Sequence, residues 1–108
     1  MPTFAENLKH LPSIDAIAAL ELYGDGHAPE VVIENQPGSR GALAVYYHLA
    51  IQHGGITPKA AQEGLDLFAE HTEEARAKPG KHPNIDRLFH ILEEELFYSV
   101  KAIPKSSQ

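Results

Sequence analysis

The most constraining stretch of this 108-residue chain runs from Ala42 to His53, Ala42-Leu43-Ala44-Val45-Tyr46-Tyr47-His48-Leu49-Ala50-Ile51-Gln52-His53, and holds no Asp, Glu, Lys or Arg. Pro37-Gly38-Ser39-Arg40-Gly41 breaks the chain before it, and Gly54-Gly55 ends it as a helix C-cap would. A helix that is apolar nearly all round has to be covered on more than one side, so this segment is expected at the centre of the domain. One such centre in a chain this short implies one domain spanning residues 1–108.

What covers the helix is read from the flanking segments. Thr3 with Glu6 has the capping-box spacing, and Phe4, Leu8 and Leu11 share a stripe, so a short helix runs up to Pro12. Ile17 to Tyr23 and Glu30 to Asn35 flank a turn-rich Gly24-Asp25-Gly26-His27-Ala28-Pro29. The β-branched Val31-Val32-Ile33 makes the second arm a strand and the pair a β-hairpin. For the first arm a helix over Ile14 to Leu22, capped by Ser13 and stopped by Gly24, is the alternative. Thr57-Pro58 opens a helix predicted to run to Ala77, with Ala61, Leu65, Phe68 and Thr72 inward. Lys78 to Asn84 reads as a loop. Asn84 then caps a last helix predicted over Ile85 to Ala102 with Leu88, Leu92 and Leu96 on one stripe, and residues 103–108 read as a frayed tail. The expected fold is α+β: a short N-terminal helix, a β-hairpin, and three helices packed on the hairpin.

Several function classes are disfavoured at once. With no cysteine there is neither a disulfide scaffold nor a thiolate nucleophile, and metal ligands are restricted to histidine and carboxylate. A formal net charge of −6 opposes binding to a phosphate backbone, so no nucleic-acid partner is expected. No stretch is apolar enough to span a bilayer, and the N-terminus lacks the basic start and apolar run of an export signal. No membrane partner and a cytoplasmic location are therefore expected.

Four places could carry chemistry. At Pro37-Gly38-Ser39-Arg40-Gly41 the free N–H groups of a helix start, a hydroxyl and a guanidinium could meet an anion, although Pro-Gly turns are also ordinary punctuation. Between Arg76 and Arg87 the charge reverses locally, with Arg76, Lys78, Lys81 and Arg87 against Asp86 alone. The two prolines of Lys78-Pro79-Gly80-Lys81-His82-Pro83-Asn84 fix the direction of Lys81 and His82. Part of that reversal is the normal complement of helix dipoles. His71 with Glu74 and His90 with Glu93 each share a helix face and could hold a divalent metal, the plainer reading being a solvated charged face. On the apolar helix, His48 beside Tyr46 and Tyr47 needs a polar partner or a cavity. A helix reaching back to Arg40 would put His48 about 12 Å from it at about 1.5 Å per residue, a span suited to a metabolite.

The segments Ile33-Glu34-Asn35-Gln36-Pro37-Gly38-Ser39, Tyr46-Tyr47-His48-Leu49-Ala50, Leu67-Phe68-Ala69-Glu70-His71-Thr72-Glu73 and Gly80-Lys81-His82-Pro83-Asn84-Ile85-Asp86 carry a resemblance. Together, from Phe4 to Leu96, the chain resembles the small bacterial domain-of-unknown-function family twenty-three twenty-two. The resemblance implies a single-domain bacterial protein and brings no activity and no catalytic residues with it.

From the residues themselves, the expectation is binding of a small carboxylate- or phosphate-bearing metabolite between the Ser39-Arg40 turn and the Lys81-His82 loop. Ser39, Arg40, Tyr47, Lys81 and Arg87 are the expected ligand contacts, and His48 or His82 the acid or base of a cofactor-independent isomerisation or cleavage. The alternative is a non-enzymatic interaction module, a homodimer through the hairpin edge being one form of it. A weaker alternative is a divalent-metal protein using His71, Glu74, His90 and Glu93.

Overall fold

In a computed structural model, which describes residues 2–106, the chain begins with α1 (Phe4–Leu8) and a hairpin of β1 (Ile17–Tyr23) and β2 (Val31–Glu34). The α1 start has the full capping box: the Thr3 N–H donates to Glu6 Oε1 at 2.8 Å, and the Glu6 N–H donates back to Thr3 Oγ1 at 3.2 Å. The arm from Ile17 is a strand, which decides between the two readings of that segment. The fold class is α+β, as expected.

Four helices follow rather than three: α2 (Arg40–His53), α3 (Pro58–Phe68), α4 (Glu70–Ala77) and α5 (Pro83–Glu94). The helix expected from Pro58 to Ala77 breaks at Ala69, whose φ of 51° and ψ of −117° leave the helical region. Across the break, the Thr72 hydroxyl donates to the carbonyl of Leu65 at 2.6 Å, satisfying a helix-end acceptor inside the core. All four residues of the expected inward stripe, Ala61, Leu65, Phe68 and Thr72, are buried despite the break.

The last helix also differs from expectation at both ends. His82 is its N-cap residue and Pro83 its first turn, while Asn84 lies inside the helix and accepts from Arg87. The helix stops at Glu94, because Glu95 takes left-handed values (φ 53°, ψ 51°) and the Leu96 N–H closes onto the Ile91 carbonyl at 3.1 Å. Residues 99–104, expected as helix and tail, form β3 (Ser99–Pro104). Of the expected tail, Ile103 and Pro104 are paired in that strand, the Lys105 N–H bonds the Ala16 carbonyl at 2.9 Å, and 107–108 lie outside the described residues.

The sheet is antiparallel in the order β2-β1-β3, with Leu20 opposite Ile33 on one side and Ala102 on the other. Leu20 and Leu22 are fully buried, in step with the strand period of two. An irregularity between Ile17 and Ala19 shifts the register, so Ile17, three residues before Leu20, is buried as well. Helix α2 lies against the sheet and touches all three strands, and α3 lies between α2 and α5. Gly64 makes this close approach possible: a Cβ there would stand 2.8 Å from Leu88 Cδ1 and 2.9 Å from Leu49 Cδ1. Leu43, Val45, Tyr46 and Leu49 of α2 are wholly buried, which confirms that helix as the centre of the domain. No helix among the described residues is long and apolar enough to cross a membrane.

Candidate functional site

The turn before α2 and the loop before α5 meet. Arg40, Lys81 and His82 line one cavity of about 420 Å³, together with His71, and Phe4 and Phe68 supply its apolar wall. Three local devices build it. First, α1 is fastened over α3 and α4: the Phe4 N–H donates to Glu70 Oε1 and the Asn7 amide donates to the Leu67 carbonyl, both at 2.9 Å. This seats the Phe4 ring on Phe68, with ring centres 5.3 Å apart, and against the edge of His71 at 5.0 Å. Second, Gly41 leaves room for that ring, since a Cβ there would lie 2.8 Å from Phe4 Cζ. Third, the loop carrying Lys81 is braced where the Gly80 N–H donates to Asp86 Oδ2 at 2.9 Å.

Glu74 organises the cationic side of the site. Its Oε2 accepts from Lys81 Nζ at 2.9 Å and its Oε1 lies 2.7 Å from His82 Nε2. Lys81 first, and then His82, hold the Glu74 carboxyl well below the usual range, at about 2. The His71 ring lies 5.7 Å from that of His82, and donor atoms of His71, Glu74 and His82 all fall within 4.8 Å of one another. Chemically, Glu74 is an ionised carboxylate shared between an ammonium and an imidazole, and His71, Glu74 and His82 form a nitrogen–oxygen–nitrogen donor set.

The other expected site residues lie apart from the cavity. Ser39 spends its hydroxyl on the carbonyls of Glu34 and Gln36, bracing the turn. Tyr47 is half-buried against the core and does not line the cavity. His48 is engaged elsewhere: its Nε2 lies 2.8 Å from Glu63 Oε2, and His53 Nε2 lies 2.6 Å from Glu63 Oε1. Hydrogen bonds from His53, foremost, and from His48 hold the Glu63 carboxyl below its ordinary value. Arg87 donates to Asn84 Oδ1 at 2.8 Å and to the hydroxyl of Tyr46 at 3.1 Å. That hydroxyl donates to the Asn84 carbonyl at 2.6 Å, and burial pushes the phenol up to about 12. Arg87 thus fastens α5 to α2. The two expected metal pairs do not meet, because His90 and Glu93 line a separate groove with Arg76 and Phe89.

Some participants went unread in the sequence. Phe4, Phe68 and Asn84 face the cavity but carry no pattern that marks a site. Glu63, between two histidines from the preceding helix, had a weak signal in its acidic place on a buried helix.

A family model for an uncharacterized protein conserved in bacteria (DUF2322) matches residues 4–102. The chain belongs to that family. Within this family member the match takes in every element but the last two residues of β3, and the whole cavity with it. No curated protein and no solved structure matches the chain.

Proposed function

We propose that this chain binds a small anionic metabolite, one bearing a carboxylate or phosphate, in the cavity between α1, the start of α2 and the Lys81-His82 loop. The observation that carries the reading is the convergence of Arg40 and Lys81, from separate segments, on one pocket whose remaining wall is largely apolar, with Phe4 and Phe68 in it. A volume of about 420 Å³ suits a metabolite. Both cations keep donors for a ligand. Among the described residues Arg40 meets only Asp15, at 3.9 Å with both side chains more than half exposed, a contact of the kind worth less than about 1 kcal/mol. Lys81 gives one of its three protons to Glu74 and is itself half exposed. Arginine supplies the planar fork that matches a carboxylate or phosphate, and lysine the point charge beside it.

The test is a thermal-shift panel of inorganic phosphate, phosphorylated metabolites and di- and tricarboxylates, run with a chelator present. A ligand at about 100 times its Kd adds about 2.7 kcal/mol, and in a domain near this size each kcal/mol moves the midpoint by roughly 4–8 °C. One chemical class should shift the midpoint, and the shift should be lost in Arg40→Ala and in Lys81→Ala. A flat panel, or a shift that survives both substitutions, refutes the reading.

A further inference from the structure

We infer that His71, Glu74 and His82 form a three-ligand site for a divalent transition metal of the zinc type, set in the wall of the anion cavity. The trio is assembled from two elements: His71 and Glu74 lie one turn apart on α4, and His82 is the residue just before α5. Their donor atoms already lie within 4.8 Å of one another, and among the described residues this is the sole group of histidine and carboxylate donors so gathered. Ligand bonds of about 2.0–2.2 Å to imidazole nitrogen and carboxylate oxygen then need side-chain adjustment rather than backbone movement.

The donor chemistry selects the metal class. Two imidazoles and one carboxylate suit zinc and its neighbours, whereas calcium and magnesium ask for oxygen alone. Three protein ligands leave a tetrahedral ion one open position, the pattern of sites that act on a bound molecule rather than of purely structural ones. His71 and His82 both line the cavity, so the open position adjoins the space that Arg40 and Lys81 face.

The surroundings also fit. Lys81 Nζ bonds Glu74 Oε2, while Oε1 is the oxygen beside His82, so the ammonium can orient the carboxylate without occupying the metal's oxygen. Phe4 packs against the edge of the His71 ring and holds its plane. The break at Ala69 is what turns α4 so that His71 and Glu74 face the Lys81-His82 loop.

The site goes beyond the anion reading and does not depend on it, so the two are tested apart. Purified chain is stripped with chelator and titrated calorimetrically with zinc chloride alone, and separately with cobalt(II) chloride followed by visible absorption. One ion per chain is expected, with the intense absorption of tetrahedral cobalt. His71→Ala and His82→Asn should each weaken zinc binding by about 100-fold or more, since the loss of outer partners alone costs 10–100-fold. Circular dichroism establishes that each variant is folded, and the second variant stands if the first does not fold. His90→Ala should bind as the unsubstituted chain does. Arg40→Ala separates the readings: Arg40 pairs with Asp15 rather than with any of the three ligands, so its loss leaves zinc binding unchanged, although it removes anion binding. Absence of one-to-one binding, or binding that survives both His71→Ala and His82→Asn, overturns the proposal. So does a cobalt spectrum of the octahedral, water-like kind.

Discussion

Replacing Ala69 by glycine should stabilise the protein, against the usual rule that glycine weakens a helical region. Ala69 has φ 51° and ψ −117°, values at which a Cβ is crowded and which glycine adopts freely. A residue held in such a sparsely populated region costs about 1–3 kcal/mol. Against this stands the larger entropy glycine loses on folding, about 0.5–1 kcal/mol relative to alanine. The backbone bonds of the break are indifferent to the side chain: the Ala69 N–H donates to the Asp66 carbonyl at 3.2 Å, and the Ala69 carbonyl accepts from the Thr72 N–H at 3.0 Å. The net gain is therefore about 1 kcal/mol, or roughly 4–8 °C in Tm for a domain near this size. Thermal unfolding followed by circular dichroism measures it, with Ala69→Val as the converse because a β-branched residue tolerates positive φ still less. A lower Tm in Ala69→Gly, or an Ala69→Val protein as stable as the unsubstituted chain, would refute the reasoning.

Thr72→Val keeps the shape of a buried side chain but removes the hydroxyl that serves the Leu65 carbonyl. It should cost about 1–2 kcal/mol by denaturant titration, and an unchanged midpoint would show that water replaces the bond. Glu63 ties α3 to two histidines of α2, and its folded pKa lies below the ordinary 4.5. The unfolded chain therefore binds the proton more readily, and this stabilisation is full above pH 4.5 and drains away as pH falls through the lower folded value. The Tm gap between the unsubstituted chain and Glu63→Gln should accordingly be widest at neutral pH and close on acidification. A gap that stays constant down through that window would remove Glu63 from the account.

The parts of the fold that were legible in sequence are those announced by residues with a built-in backbone preference. Thr3 with Glu6, Thr57 before Pro58, and Gly54 at φ 74° begin or end helices where their chemistry says they should. Two of the boundaries that were not legible, the break after Phe68 and the end of α5, share one cause. At Ala69 and at Glu95 the chain turns through positive φ on residues with a Cβ, the two non-glycine cases among the described residues. Pattern reading sees alanine and glutamate as helix formers and carries the helix on. Past Ala69 this merges α3 with α4, and past Glu95 it hides β3, assigning Val100 to a helix and Ile103 to a tail.

The candidate site divides along similar lines. Arg40, Lys81 and His82 stood out because proline and glycine in their loops fix direction, and they do share a cavity. His48 and Arg87 stood out for their chemical type, yet Glu63, Tyr46 and Asn84 occupy them, partners that lie 15, 41 and 3 residues away in the chain. Spacing along a sequence carries no record of the first two pairings until the helices are packed. His71 and Glu74 share a face that meets His82 across the loop, whereas His90 and Glu93 line a separate groove.

The place of β3 has a consequence for how the molecule is made. The middle strand, β1, is complete by Tyr23, yet one of its two neighbours is translated only at Ser99–Pro104. While the chain is still emerging from the ribosome, β1 can pair with β2 but keeps the N–H and carbonyl groups of its other edge open, a template for any extended segment nearby. Helices α2 to α5 can form locally in the meantime, whereas this edge closes only by a contact between opposite ends of the fold, which is slow because the intervening loop is long. Assembly of the sheet is thus delayed until the final strand arrives, and a nascent chain halted before Ser99 is left with the edge of its own central strand exposed.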